Sequence, residues 1–299
     1  MENSRLHIPL IFGFDVIHGF RTIFPVPLAM AASWDPALAT SAQTIAAQEA
    51  RSVGISWAFA PMVDIARDPR WGRIVEGAGE DPYLGSAFAA AQVKGFQGDS
   101  IGAPNHVLAS VKHFAGYGAA EGGRDYDASS ISETQLQNIY LKPFHAAVNA
   151  GAGSLMSAYM DLNDVPATGN RFLLHDTLRT EWGFKGFVVS DADAVKSLVK
   201  HGFAKDDSDA AFRAFDAGVN MEMAIGKTAY ASGLPAALKA GTLKPAQIDA
   251  MLRPILEMKL RLGLFEHPYG RSAVRPDARR SHASNRCAPG GRAYRCPPP

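Results

Sequence analysis

Short apolar segments alternate along this chain with longer amphipathic stretches, and this alternation limits the fold more than any other sequence feature. The apolar segments have the length and composition of buried strands, while the stretches between them carry helix signals. This pattern is typical of a parallel sheet covered by helices. The predicted strands are residues 9–15, 57–65, 107–113, 154–159, 187–191 and 219–223.

Helix signals lie between these strands. Asp35 followed by Pro36 predicts an N-cap with proline in the first turn, opening a helix that runs to residue 54. Ser132 with Gln135 three residues later forms a capping-box pattern, opening a helix that ends at residue 151. Two further helices are predicted at residues 206–217 and from residue 244 onwards, the last with a kink at Pro254.

The six βα-like units favour a barrel over the other common parallel architecture. A doubly wound dinucleotide-binding sheet would carry a G-x-G-x-x-G turn after its first strand, whereas Gly13 and Gly19 are isolated. A closed (β/α)8 barrel needs eight units. We therefore expect an α/β chain with a TIM-like (β/α)8 barrel that is incomplete at its N-terminus.

Composition excludes several classes of protein. The chain has 299 residues, 47% of them hydrophobic, but no apolar run of the ~18 residues that would span a membrane. The residues after Met1 show no charged n-region followed by an apolar h-region, so we expect no signal peptide there. The formal charge is +6 over residues 271–299 and −5 over the rest, so the body suits a neutral substrate rather than a polyanion. We expect no nucleic-acid or membrane partner, no cofactor and no metal.

Residues 271–299 end the periodic pattern. They contain both cysteines and no Leu, Ile, Met or Phe, and they are too poor in apolar side chains to offset the cost of ordering. We expect this segment to be disordered. A frameshifted end and a natural disordered tail are both compatible with its composition.

Polar or ionisable residues end five of the six predicted strands. Strands of a barrel run in one direction, so their carboxyl ends meet at one rim, where barrel enzymes place their active sites. Capping and turn formation explain some such residues, but five of six is a high share. These residues are Asp15, Asp64, the pair Lys112 and His113, Tyr159 and Asp191.

Each candidate has a structural alternative. Asp191 follows a buried-type strand and could cap the next helix, although Asp193 is available for that role. Asp15 could stabilise a turn instead of binding substrate hydroxyls. Lys112 and His113 are neighbours, so in a regular strand they would point to opposite faces. Either His113 is a core histidine or the backbone leaves strand geometry there, for example through a non-proline cis peptide bond.

The segment 67–84 is too irregular for a helix or strand. Its sequence has three glycines, two prolines and several charges. Arg70 or Arg73 could hold a pair of hydroxyls or a carboxylate. The alternative is a surface loop in which Arg–Glu pairs hold the chain in place.

Six motifs, in this order, resemble glycoside hydrolase family 3, and within it the bacterial periplasmic β-glucosidases. They cover about residues 1–270 and read FGFDVIHGF, DPRWGRIVEGAGEDPYL, SVKHFAGYGAAEGGRDY, MSAYMDLNDVPAT, GFVVSDADAV and GVNMEM. The resemblance implies that residues 1–270 are the family's N-terminal barrel domain. It also implies that residues 271–299 are a linker remnant followed by a disordered, frameshifted tail.

The resemblance implies retaining hydrolysis of terminal non-reducing β-D-glucosyl residues. Asp191 would be the nucleophile, and the −1 subsite would contain Asp15, Arg73, Lys112, His113 and Tyr159. The family's acid/base is a glutamate of a second, α/β sandwich domain, to which no residue of this sequence corresponds. A separately encoded sandwich domain is thus a candidate partner. Ala192 stands where the family usually has tryptophan.

Two other functions are compatible with parts of the pattern. A class I aldolase or lyase would use Lys112 as a Schiff-base lysine. A catalytically inactive fragment or carbohydrate-binding module would keep the pocket without turnover. The family resemblance implies a periplasmic or secreted location, whereas the residues after Met1 predict no signal peptide.

Overall fold

The computed structural model describes residues 5–268, in which five strands form one parallel sheet. A short antiparallel hairpin extends from the fourth of these strands. The strands are β1 (Gly13–Phe14), β2 (Trp57–Ala58), β3 (Leu108–Phe114), β4 (Ser154–Ser157), β5 (Asp161–Leu162), β6 (Val165–Pro166) and β7 (Phe187–Ser190).

Helices connect the strands. The α-helices are α1 (Pro27–Ala31), α2 (Pro36–Ser52), α3 (Pro82–Gln97), α4 (Glu133–Gln135), α5 (Lys142–Asn149), α6 (Ala194–Lys200), α7 (Asp207–Ala217), α8 (Ala229–Lys239) and α9 (Pro245–Arg261). Wider π-helical turns cover Leu136–Tyr140 and Phe172–Glu181. The predicted N-cap is confirmed, since the Asp35 carboxylate accepts the Ala37 N–H. The Ser132 hydroxyl likewise accepts the Gln135 N–H.

The strand order shows which parallel architecture the chain adopts. The order β1-β2-β3-β4-β7 follows the chain, and each pair of neighbours is parallel. In a doubly wound sheet the order of the strands reverses at one point, although the strands stay parallel. The order found here does not reverse, so it excludes that architecture. A bridge between Val189 and Met221 continues the sheet beyond β7. The sheet is therefore a curled half-barrel, and the predicted barrel class is confirmed for a partial barrel.

Alternate residues of the strands pack into two different cores. Ala58, Ala109 and Val188 lie in the larger core, between the sheet and the helices around it. Trp57, Leu108, Met156, Phe187 and Val189 face the other way and pack against Ile255 and Met258 of α9. Both faces of the sheet are thus covered, which explains why its strands are apolar along their whole length.

Several predicted boundaries differ from the structure. The second strand was expected to run to residue 65, but β2 ends at Ala58, and Pro61 has no N–H for a regular ladder. Parallel pairing resumes with a bridge between Met62 and Lys112. Residues 219–223 form only the bridge at Met221. α3 and α8 occupy stretches for which the sequence pattern predicted no helix.

The predicted disorder of residues 271–299 concerns a segment outside the described residues. Within residues 5–268, none of the helices combines the length and apolar character that crossing a bilayer requires.

Candidate active site

The carboxyl ends of the strands bring the predicted site residues together. Asp15 follows β1, and its carboxylate lies 2.6 Å from the Lys112 Nζ near the end of β3. His113, next to Lys112, lies 3.5 Å through its Nε2 from Asp191 Oδ2 beyond β7. The Tyr159 hydroxyl donates to Asp191 Oδ1 at 2.7 Å. Five of the six predicted residues therefore form one connected cluster.

Arg73, the sixth predicted residue, joins the cluster through an aromatic ring. Its guanidinium lies 5.6 Å from the centre of the Tyr117 ring. That ring contacts the rings of His113 and Tyr159, with centroids 5.2 and 6.2 Å away. The guanidinium also makes two bonds to the Glu76 carboxylate, at 2.6 and 3.0 Å. The alternative of a loop held by an Arg–Glu pair is thus present together with proximity to the site.

Asp191 does not cap the helix that follows it. Its Oδ1 accepts the Tyr159 hydroxyl and the Ala192 N–H, both at 2.7 Å. α6 starts only at Ala194, with Asp193 in the N-cap position. The Asp193 side chain, which the sequence offered as an alternative cap, does not cap α6, because its carboxylate accepts the Ile225 N–H instead. Ala192 supports Asp191 through its backbone, whatever its side chain.

Lys112 and His113 both contact rim residues although they are neighbours in one strand. The peptide bond between them is cis, which confirms the predicted departure from regular strand geometry. The two alternatives for His113 hold together, since the ring is 1% exposed and yet contacts Asp191. Gly118 allows the following loop to approach closely, because a Cβ there would collide with the Ile65 carbonyl oxygen.

Asp64 is the site residue that sequence reasoning left out of the subsite. It belongs to the predicted strand-end residues, but nothing in the sequence assigns it a partner. The structure buries it, and its Oδ2 accepts the backbone N–H of His113 at 3.0 Å and lies 2.8 Å from the Nδ1 of the same residue. Tyr117 was also missed, and the two glycines around it were the only available signal.

Burial controls the electrostatics of the site. Burial raises the pKa of Asp191, and the hydrogen bonds from Tyr159 and Ala192 together with the charges of Lys112 and Arg73 oppose it. Burial, then the charges of Arg73 and Lys112, holds the pKa of His113 well below its usual value. The imidazole is therefore neutral at pH 7, and its contact with Asp191 is not an ion pair.

The two side chains of the Lys112–Asp15 pair differ in their exposure to solvent. The Lys112 side chain is 5% exposed, whereas that of Asp15 is 65% exposed. The Lys112 Nζ is held by this carboxylate at 2.6 Å. An amine engaged in a charge-assisted hydrogen bond is not free to attack a carbonyl carbon, so this environment does not suit a Schiff-base lysine.

No metal cluster is evident in the part of the chain that the structure describes. There, no group of three or more His, Cys, Asp or Glu side chains is arranged to hold an ion.

Comparison with known proteins identifies the family. Residues 1–258 match the family model described as the glycosyl hydrolase family 3 N terminal domain. The chain is 46% identical over 269 residues to a periplasmic β-glucosidase of Salmonella typhimurium, covering 90% of this chain and 35% of that protein. It is 39% identical over 283 residues to a β-xylosidase of Formosa agariphila, covering 88% of this chain and 39% of that protein.

Solved structures agree with the sequence matches. A β-glucosidase from Listeria innocua, crystallised in complex with glucose, superposes with a TM-score of 0.89 at 39% identity. The match covers 93% of this chain and 39% of the Listeria chain. This chain thus spans between a third and two fifths of the length of these relatives.

Proposed function

The chain belongs to glycoside hydrolase family 3, and on that basis we propose that it carries the nucleophile half of a retaining β-glucosidase site. The proposed substrate class is a terminal, non-reducing β-D-glucoside. Asp191 is the proposed nucleophile. The observation that carries the proposal is the asymmetry of its carboxylate. Oδ1 accepts two hydrogen bonds, while Oδ2 makes only the 3.5 Å contact to His113 among those the structure records.

The asymmetry suits nucleophilic attack. A retaining glycosidase needs a carboxylate oxygen that can bond to the anomeric carbon while the rest of the carboxyl group is held still. Tyr159 and the Ala192 N–H hold Oδ1, and the charges of Lys112 and Arg73 favour the ionised form. Oδ2 is the oxygen left to attack.

The sugar-binding residues of the proposal are Asp15, Arg73, Lys112, His113 and Tyr159. Asp15 has the most exposed of the carboxylates in the cluster, and a carboxylate can accept hydrogen bonds from two neighbouring hydroxyls. The buried Lys112 ammonium can donate to the same sugar. The glucose bound to the Listeria β-glucosidase and the β-glucosidase name of the Salmonella protein support a glucoside as the ligand.

The proposal leaves the general acid unassigned within residues 5–268. Glu76 is the glutamate in contact with the cluster, and both of its oxygens bind Arg73. The match covers 35% of the Salmonella protein, so the acid of such a relative can lie in the remainder. Supply of the acid by a separate sandwich domain is part of the proposal. An extracytoplasmic location, as the Salmonella relative's name states for that protein, is proposed with it.

Covalent trapping tests the nucleophile. The purified chain is incubated with dinitrophenyl 2-deoxy-2-fluoro-β-D-glucoside, whose dinitrophenolate leaving group departs without protonation. The digested protein is then analysed by mass spectrometry. We expect one glucosyl adduct on the peptide containing Asp191, absent in Asp191→Asn. Asp193→Asn is the matched control two residues away and should be labelled like the wild type.

The leaving group separates an enzyme from a binding module. Without a proton donor, a dinitrophenyl β-glucoside should react slowly and cellobiose should not react, because general acid catalysis is worth ~10²–10⁴-fold. Azide, which attacks without a general base, should speed turnover. Labelling of another residue would contradict the mechanism. Glucose binding without any labelling would instead indicate a carbohydrate-binding module.

A further inference from the structure

The Asp64 carboxylate contacts His113 through one of its two oxygens. Asp64 is 2% exposed, and its Oδ2 accepts the backbone N–H of His113 at 3.0 Å and lies 2.8 Å from the Nδ1 of that residue. Its other oxygen, Oδ1, is buried and has no hydrogen-bond partner among the described residues. A buried carboxylate with one unpaired oxygen is costly, so its contacts to His113 call for a functional explanation.

The imidazole of His113 lies between two carboxylates. Nδ1 faces Asp64, and Nε2 faces Asp191 Oδ2 at 3.5 Å. A neutral imidazole carries its hydrogen on one nitrogen only, and the bond made by the other nitrogen decides which. The position of that hydrogen therefore determines what Nε2 offers to the pocket.

Two distances indicate where the hydrogen lies. Oδ2 of Asp64 already accepts the backbone N–H of His113, so it acts as an acceptor, and 2.8 Å to Nδ1 is a normal N–H···O distance. The 3.5 Å from Nε2 to Asp191 exceeds the 2.7–3.2 Å typical of such bonds, roughly as expected for a nitrogen without hydrogen. Both distances fit a hydrogen on Nδ1.

The charged groups around the pair act in opposite directions. Arg73 and Lys112 favour the ionised form of Asp64, and Glu76 opposes it. Burial is the largest effect and raises the pKa of Asp64 to about 7. Above that pH the carboxylate is ionised and can only accept, which requires the hydrogen on Nδ1.

We propose that Asp64 is a positioning residue that holds His113 with its hydrogen on Nδ1, so that Nε2 enters the pocket as a hydrogen-bond acceptor for a sugar hydroxyl. The opposite tautomer would donate to Asp191 Oδ2 and weaken the oxygen that attacks. The role of the hydroxyl and of Oδ2 rests on the proposed function. The tautomer does not.

Nitrogen-15 NMR of the histidine-labelled chain at pH 8.5 tests the proposal, because protonated and unprotonated ring nitrogens have well-separated shifts. The His113 signals are assigned from their loss in His113→Gln. We expect the wild type to show a protonated Nδ1 and an unprotonated Nε2. A protonated Nε2 in the wild type overturns the proposal without any need for a variant to fold.

Asp64→Ala gives the second arm. Without the carboxylate a hydrogen on Nδ1 has no acceptor, so the His113 ring should shift wholly or partly to the Nε2-protonated tautomer, which can donate to Asp191. Asp161→Ala is the matched control, since Asp161 lies 2.7 Å from the Nδ1 of His201 in another Asp–His pair. It should leave the His113 signals unchanged. An unchanged His113 tautomer in a folded Asp64→Ala protein also overturns the proposal.

The NMR result does not depend on turnover. A chain with the Nδ1 tautomer that is not labelled at Asp191 would contradict the proposed function and leave the role of Asp64 in place. If the tautomer and the labelling of Asp191 are both as proposed, Asp64→Ala should lower the rate of labelling at Asp191 by roughly 10-fold or more, as expected when one hydrogen bond in a buried polar network is misdirected.

Discussion

Replacing Asp64 with asparagine should remove a pH-dependent loss of stability. Burial raises the folded-state pKa of Asp64 from 3.8 to about 7. Below pH ~4 the carboxyl is protonated in both the folded and the unfolded chain and costs nothing. As the pH rises towards 7, the unfolded chain releases the proton while the folded chain keeps it, so stability falls. Above pH ~7 the full cost remains.

The magnitude follows from the size of the shift. About three pKa units at roughly 1.4 kcal/mol each correspond to a loss of about 4 kcal/mol between pH 4 and 7. Asparagine keeps an oxygen that can accept the His113 N–H but has no proton to lose in this range. The variant should therefore lack this slope, and its advantage over the wild type should grow with pH.

Thermal unfolding of paired samples between pH 4.5 and 7.5 measures the effect. At roughly 2–4 °C per kcal/mol in domains of 150–250 residues, the difference in Tm should widen by about 10 °C across this range. Asp161→Asn, which removes a carboxylate from the other Asp–His pair, should run parallel to the wild type. A difference between Asp64→Asn and wild type that stays constant with pH would refute the reasoning.

Three further substitutions test the cluster around Asp191. Tyr159→Phe removes the hydroxyl that lowers the pKa of Asp191, so the acid limb of the labelling rate should move up by roughly one to two pH units, as read from pH profiles. An unmoved limb would exclude that hydrogen bond as a determinant. Lys112→Met should slow labelling roughly 10- to 100-fold at pH 7, measured by timed mass spectrometry, whereas an unaffected rate would exclude the ammonium from the site. Arg73→Lys loses the two-pronged contact to Glu76 and should lower stability by about 1 kcal/mol in denaturant titrations. Stability equal to that of the wild type would mean that the pair contributes nothing measurable.

The grouping of the site residues at the strand ends was predictable, because it follows from the polarity of the sequence and the common direction of the strands. Apolar runs that stop at a polar residue predicted the rim, and the structure brings Asp15, Lys112, His113, Tyr159 and Asp191 into contact there. The parallel class was predictable from the alternation of short apolar runs with amphipathic stretches. The lengths of β1 and β2 were not, because they depend on how regularly the neighbouring backbones pair.

One missed helix had a readable signal. Asp81 followed by Pro82 repeats the pattern of Asp35 and Pro36, and the Asp81 carboxylate accepts the Leu84 N–H at the start of α3. Its position at the end of an irregular, charged loop hid it. The pairing of Asp64 with His113 had no such signal, since the two residues are separated by 49 positions and either could have been satisfied elsewhere.

The cluster combines buried groups with one exposed carboxylate, and this difference suggests how a ligand would enter. His113, Asp64 and Lys112 are almost inaccessible and each already has a partner. Removing any of these partners would leave an unpaired polar group where water cannot replace it. The Asp15 side chain is 65% exposed, so a sugar hydroxyl can replace water there at little cost. If the ligand first binds at Asp15, then Asp15→Asn should slow its association, whereas changes at the buried groups should act mainly on the steps after binding.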